Sequence, residues 1–149
     1  MENIGMRLLS LDIGDRRIGV AMSDPSGFLA SPLTIIERKT VSEDILAIAV
    51  IIKNNDIGQI VIGLPLQSDG GSGTQSEKVM SFAQKLVDSI KVPVDFRDES
   101  YTTASARQLM LQTKSKKVRR NTRDDAIAAA FILQHYLDEG HLEYDAGLE

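Results

Sequence analysis

Residues 6–22, MRLLSLDIGDRRIGVAM, hold two short apolar runs on either side of a polar turn. In the first run Met6, Leu8, Leu9 and Leu11 lead to Asp12, Ile13, Gly14 and Asp15, where Asp and Gly mark a chain reversal. In the second, Ile18, Val20, Ala21 and Met22 return until Asp24, Pro25, Ser26 and Gly27 break the pattern. The reading is a hairpin whose first strand stops at Asp12. Residues 28–36 add a third strand, and Pro32, which has no amide to donate, places part of it at a sheet edge. Connections this short permit only antiparallel pairing, so the chain opens with a three-stranded meander.

Beyond this meander the period changes. Val41, Ile45, Ile48, Ala49 and Ile52 recur at helical spacing, with Ser42 as the expected N-cap and Glu43 and Asp44 suited to the positive end of a helix. Residues 57–64 form a nearly continuous apolar run, the pattern of a buried parallel strand. A glycine-rich loop at Gly70, Gly71 and Gly73 precedes a second helix, whose apolar face is Val79, Phe82, Ala83, Leu86, Val87 and Ile90. A fifth strand over residues 92–96 runs into Arg97, Asp98 and Glu99. Thr102 or Thr103 caps a third helix, and Asn121 or Thr122 caps a last one that carries Asp124 and Asp125 in its first turn. The order predicts an α/β fold: a mixed five-stranded sheet with strands 1–3 antiparallel, strands 1, 4 and 5 parallel, and helices on both faces.

With 149 residues, the chain fits one domain that buries roughly two thirds of its unfolded surface. The expected organisation is a single domain over 1–149, with the acidic segment 138–149 fraying. The absence of Cys excludes a disulfide framework, thiol catalysis and a cysteine zinc site, and two His residues near the C-terminus offer little to a His-based one. Any metal would be held by oxygen. The first residues carry no basic segment followed by an apolar one, and no apolar run approaches membrane-spanning length, so the expected location is the cytoplasm. The net charge of −4 hides a basic run, Lys114, Lys116, Lys117, Arg119, Arg120 and Arg123, with no acid among them. Such a run is either a solvated loop or a surface for a nucleic-acid backbone.

Ligands of open α/β sheets bind beyond the carboxyl ends of the parallel strands. Those ends carry Asp12 and Glu99, and Asp125 can reach the same edge from the start of the last helix. Singly each acid has an ordinary structural role, as a turn residue, a strand end or a helix-dipole partner. Together they would repel one another unless a cation neutralised them. Oxygen donors alone favour Mg²⁺ or Mn²⁺, and two such ions can clamp the attacking and leaving oxygens of a phosphodiester.

Four stretches bear a resemblance. They are residues 11–21 (LDIGDRRIGVA), residues 62–66 (IGLPL) with Asp69 and Gly70, Asp98 and Glu99 with Thr102 and Thr103, and residues 125–129 (DAIAA) with Ile132, Leu133 and Gln134. In this order and spacing the chain resembles the YqgF family, described as pre-16S rRNA nucleases or Holliday junction resolvase-like proteins of RNase H-like fold. The resemblance implies a hydrolase with Asp12, Glu99 and Asp125 as its catalytic, metal-binding acids. It implies RNA processing in ribosome biogenesis, with a DNA junction as the alternative substrate. The basic run would then hold the substrate backbone, and the partner would be structured nucleic acid. A non-catalytic nucleic-acid-binding module on the same fold is the reading of a different class. The sequence departs from the family pattern at Ser100, where Arg often stands, at Asp15, where Thr is common, and at Asp124, which is usually apolar.

Asp12, Ile13 and Gly14 also resemble the phosphate hairpin of actin-like and sugar kinases, but those hold ATP between two such domains and this chain supplies one. The loop at Gly70–Gly73 lacks the Lys and Ser/Thr of a P-loop and reads as a connection. Arg16 and Arg17 read as surface ion pairs, and His135 and His141 as surface residues. Aromatic residues make up 5% of the chain, too few for a base-stacking platform, and this favours recognition of backbone and shape.

Overall fold

The computed structural model describes residues 6–64, 74–98 and 123–148. Its elements are β1 (Arg7–Ile13), β2 (Arg17–Ser23), β3 (Ala30–Glu37), α1 (Val41–Asn54), β4 (Ile57–Leu64), α2 (Thr74–Ser89), β5 (Val94–Asp98) and α3 (Arg123–Leu148). The strands form one sheet in the order β3-β2-β1-β4-β5. β1 pairs antiparallel with β2 and parallel with β4, β2 pairs antiparallel with β3, and β4 pairs parallel with β5. This is the mixed sheet that the sequence pattern predicts. The third helix and the caps at Asn121 or Thr122 lie outside the described residues.

Strand alternation sorts the side chains into two layers. Leu9, Leu11 and Ile13 of β1, Ile18 and Val20 of β2, and Ile60 and Ile62 of β4 enter one core with Ile45 and Ile48 of α1 and Val79, Phe82 and Leu86 of α2. The alternate positions face α3. Leu8 and Val61 meet Ile132, Leu133 and Leu137, and Ala21 meets Ala129 and Ala130. Helices therefore cover both faces of the sheet.

Two local readings need correction. β1 does not stop at Asp12, because Asp12 and Ile13 remain paired with Gly19 and Ile18, and the reversal begins at Gly14. The N-cap of α1 is Thr40 rather than Ser42. The Glu43 amide donates to Thr40 Oγ1 at 3.1 Å, and the Glu43 carboxylate accepts the Thr40 amide at 3.3 Å, a reciprocal capping box that Ser42, one residue inside the helix, could not form.

Pro32 behaves as its chemistry requires. β3 is an edge strand, and its register with β2 shifts where Val20 pairs with Thr34 and Ala21 with Pro32. At the opposite end of β2, the Asp24 carboxylate accepts the amides of Leu29 and Phe28 and the amide and hydroxyl of Ser26. The Leu29 amide and the Ser26 hydroxyl are the chief donors that hold Asp24 well below the ordinary carboxylate range.

Candidate active site

The carboxyl end of β1 and the amino end of α3 are brought level by a glycine. Asp12 lies directly opposite Gly19 in the β1–β2 pair, so the Asp12 side chain leaves the sheet on the side where a Gly19 side chain would project. A Cβ placed on Gly19 would lie 2.0 Å from the backbone oxygen of Asp125 and 2.4 Å from its carbonyl carbon. The helix backbone therefore occupies the space a side chain would need, and only glycine permits that approach.

A second contact fixes the register. Ser10 Oγ, buried and in phase with Asp12, donates to the Ala129 carbonyl at 2.6 Å. From Ser10 to Asp12 the strand advances about 6.8 Å toward its carboxyl end. From Ala129 back to Asp125 the helix advances about 6 Å toward its amino end. These steps run side by side, so Asp12 and Asp125 reach the same level on one face of the sheet, both half-buried. Each already has an interaction partner within the protein.

Glu99, the third predicted acid, lies outside the described residues; β5 is described to Asp98, paired with Leu64. Lys114, Lys116, Lys117, Arg119 and Arg120 lie outside them too, and Arg123 is described only as the first residue of α3. No group of three metal-ligating side chains occurs among the described residues. Asp12 and Asp125 supply oxygen donors only, and His135 stands apart, 3.6 Å from Glu139 on the exposed side of α3. That donor chemistry fits a hard divalent cation of the Mg²⁺ or Mn²⁺ type, which one or two carboxylates can hold with waters and substrate phosphate completing the shell.

The surroundings of Asp12 include residues that sequence reading passed over. The turn after β1 closes through the Gly14 amide, which donates to the Arg17 carbonyl at 2.9 Å. Arg38 Nη1 donates to the Gly14 carbonyl at 2.9 Å, and Arg38 Nε donates to Asp44 Oδ2 at 3.0 Å. Asp44, assigned from sequence to the helix dipole, is 2% exposed. The available signal was its place beside Ile45 on the apolar side of α1. Arg17 pairs with Glu37 at 3.4 Å, an exposed contact of the kind expected for it. Asp15, the departure on the hairpin, lies 3.6 Å from Lys78. A cleft of about 410 Å³, with Ile13, Arg38, Lys78 and Phe82 among its walls, opens on the α1 and α2 side of the sheet, away from Asp12 and Asp125.

Farther along α3, Tyr136 anchors the helix to the parallel strands. Its hydroxyl donates to Asp95 Oδ2 at 3.0 Å and accepts from Gln59 Nε2 at 2.7 Å. The Arg97 guanidinium lies 4.6 Å from the Tyr136 ring and donates to Glu139 at 2.9 Å. Burial, reinforced by the hydrogen bond to Asp95, pushes the Tyr136 phenol above its ordinary range.

Comparison with known proteins places this geometry in a family. Residues 6–139 match the family model described as RuvX: Holliday junction resolvase. A protein of Clostridium novyi (strain NT) named "Putative pre-16S rRNA nuclease" is 44% identical over 133 residues, covering 89% of this chain and 98% of its own. Among solved structures, Thermus thermophilus RuvC in complex with a Holliday junction substrate superposes with a TM-score of 0.60 at 15% identity, covering 91% of this chain and 96% of that one. The fowlpox virus resolvase in complex with Holliday junction DNA superposes with a TM-score of 0.54 at 14% identity, covering 90% and 98%. At these identities the two structures show a shared fold. No described helix is long and apolar enough to cross a membrane.

Proposed function

The chain belongs to the RuvX family, and on that premise we propose that it is a metal-dependent endonuclease of the cytoplasm, a single domain that processes the 5′ region of pre-16S rRNA. The observation that carries the reading is the level placement of Asp12 and Asp125 on one sheet face, set by Gly19 and by the bond from Ser10 to Ala129. The name of the Clostridium novyi relative supports the choice of RNA.

Asp12 and Asp125 would hold Mg²⁺ or Mn²⁺, with Glu99 as the third acid. The cation supplies charge neutralisation for the phosphodiester and activation of the attacking water. The protein's own part is to fix the carboxylates before substrate arrives, so that little reorganisation remains at the moment of reaction. Lys114, Lys116, Lys117, Arg119, Arg120 and Arg123 would bind the substrate backbone immediately before Asp125 in the chain. The family description favours one second reading, cleavage of a four-way DNA junction by the same acids.

The test is cleavage of precursor rRNA and of a four-way DNA junction by the protein and its Asp12→Asn variant, in Mg²⁺ or Mn²⁺ and then in EDTA. The RNA should be cut near the mature 5′ end. Loss of the Asp12 carboxylate should remove several kcal/mol of transition-state stabilisation, about a thousandfold in rate. Cleavage of the junction alone would transfer the reading to DNA. Activity that survives EDTA and Asp12→Asn would sink the metal mechanism, and binding without cleavage of either substrate would leave a binding module.

A further inference from the structure

The geometry points to Arg38 as a positioning residue for the Asp12 carboxylate, an inference that rests on the metal site proposed above. Arg38 follows β3 immediately and precedes α1, and its side chain spans three elements. One guanidinium nitrogen donates to the carbonyl of Gly14, two residues after Asp12, while another donates to Asp44 in the first turn of α1. The guanidinium carbon also lies 4.9 Å from the Phe82 ring centroid of α2. Its backbone joins in, because the Arg38 amide donates to the Arg16 carbonyl at 2.9 Å. Asp44 is itself fixed, taking the Lys39 amide at 2.9 Å on its second oxygen.

The turn that follows the Asp12 strand is therefore tied at two carbonyls, Gly14 and Arg16, to one residue on the far side of the sheet from the acids. The turn has little slack. A Cβ on Gly14 would lie 3.0 Å from the Arg17 carbonyl oxygen that its own amide binds. Only a planar guanidinium can address a carbonyl and a carboxylate in fixed directions while lying over a ring; a lysine ammonium is a point charge on a flexible stem. The contacts of Arg38 are to Gly14, Arg16, Asp44 and Phe82, so it acts on Asp12 through the backbone that follows it. It acts by preventing the end of β1 from moving when the carboxylate takes up a cation, in the way that groups behind metal ligands set affinity.

The test measures Mn²⁺ binding by calorimetry, along with cleavage kinetics and Tm, for the wild type and the variants Asp12→Asn, Arg38→Lys, Arg38→Ala, Asp44→Asn and Phe82→Leu. Arg38→Ala should raise the Mn²⁺ Kd by about tenfold, the lower end of what groups behind metal ligands contribute, and lower kcat with KM for nucleic acid unchanged. Arg38→Lys should recover part of the affinity, and Asp44→Asn should fall between Arg38→Lys and Arg38→Ala. Phe82→Leu removes the ring but neither hydrogen bond, so it should lower Tm and leave the Kd in place. If Arg38→Ala does not fold, Arg38→Lys and Asp44→Asn decide the matter by the same Kd.

Unchanged Mn²⁺ affinity and kcat in the Arg38 variants would overturn the proposal while leaving the nuclease reading intact. A rise in Kd that follows Tm, with Phe82→Leu as damaging as Arg38→Ala, would overturn it as well. If the wild type binds Mn²⁺ through Asp12 but cuts no substrate, the nuclease reading fails and the Kd series still decides the role of Arg38. Absence of Asp12-dependent Mn²⁺ binding would overturn both.

Discussion

The two faces of the sheet are built from different materials. Toward α1 and α2 the layer is thick, with Leu9, Leu11, Ile18, Ile60, Ile62, Phe82 and Leu86 in a conventional apolar core. Toward the first turns of α3 it is thin. Gly19, Ser10 and Ala21 of the sheet meet Asp125, Ala126, Ala129 and Ala130 of the helix. Large side chains on the first face supply most of the buried apolar area and hence most of the hydrophobic stabilisation. Small ones on the second contribute less per residue but allow the helix backbone to lie on the strands, and this closeness sets Asp12 level with Asp125. One face holds the fold and the other carries the proposed site.

The strongest way to break this contrast is a pair of substitutions, one on each face. Leu86→Ala empties a fully buried position and should cost about 2–5 kcal/mol in stability, with the activity per folded molecule preserved. Gly19→Ala should do the reverse. Its new Cβ would meet the Asp125 carbonyl oxygen at 2.0 Å, so the helix must retreat. Overpacking costs about 1–3 kcal/mol, whereas a displacement near 1 Å at a reacting centre costs about a hundredfold in rate. Urea unfolding and cleavage assays on the same preparations decide the matter. Equal loss of specific activity in both variants would show that the faces share one role.

A smaller effect is expected at Ser10. Ser10→Ala deletes the buried bond to the Ala129 carbonyl without changing side-chain volume much, so about 1 kcal/mol should be lost. The activity should fall along with it, but less than in Gly19→Ala, because the register of α3 on β1 loosens while the close approach at Gly19 remains. Full activity in Ser10→Ala would mean that Gly19 sets the register alone. The assay is the same, read at temperatures well below unfolding.

How legible these faces were in the sequence follows from range. Strand alternation and helical spacing are local, and they suffice for the order of the described elements, the parallel and antiparallel pairings and the edge position of Pro32. Convergence of Asp12 and Asp125 was legible too, since topology puts the end of a parallel strand and the start of a covering helix at one edge. The contacts that make the convergence close were not. Gly19 meeting the Asp125 carbonyl joins residues more than a hundred positions apart, and no local pattern distinguishes that glycine from one in an ordinary hairpin. Arg38 with Asp44 and Gly14 is the same kind of case, a three-element contact among charged and small residues that each have an ordinary surface reading. The N-cap at Thr40 differs from these. Thr40 followed three residues later by Glu43 is a local signal, legible in the sequence as a capping box.

The smallest effect lies farther along the α3 face, where a polar anchor is added to the apolar packing of Val61, Ile132, Leu133 and Leu137. Tyr136 reaches Asp95 and Gln59 on two parallel strands, and burial first, then the bond to Asp95, raises its phenol above the ordinary value. The folded protein thus holds the neutral phenol more tightly than the unfolded chain does. That preference is fully present below pH about 10 and is lost as pH rises from there through the folded-state value. Tyr136→Phe removes both hydrogen bonds at every pH, for about 1 kcal/mol at neutrality, and also removes the titrating group. The wild type should accordingly lose its advantage over Tyr136→Phe as pH climbs past about 10, with cleavage at neutral pH untouched because Asp12 and Asp125 lie at the other end of the contact. Urea midpoints of the two proteins across the alkaline range provide the measurement. A constant gap would mean that the phenol titrates alike in both states, and that the anchoring on this face comes from shape and from Arg97 against the ring rather than from the hydroxyl.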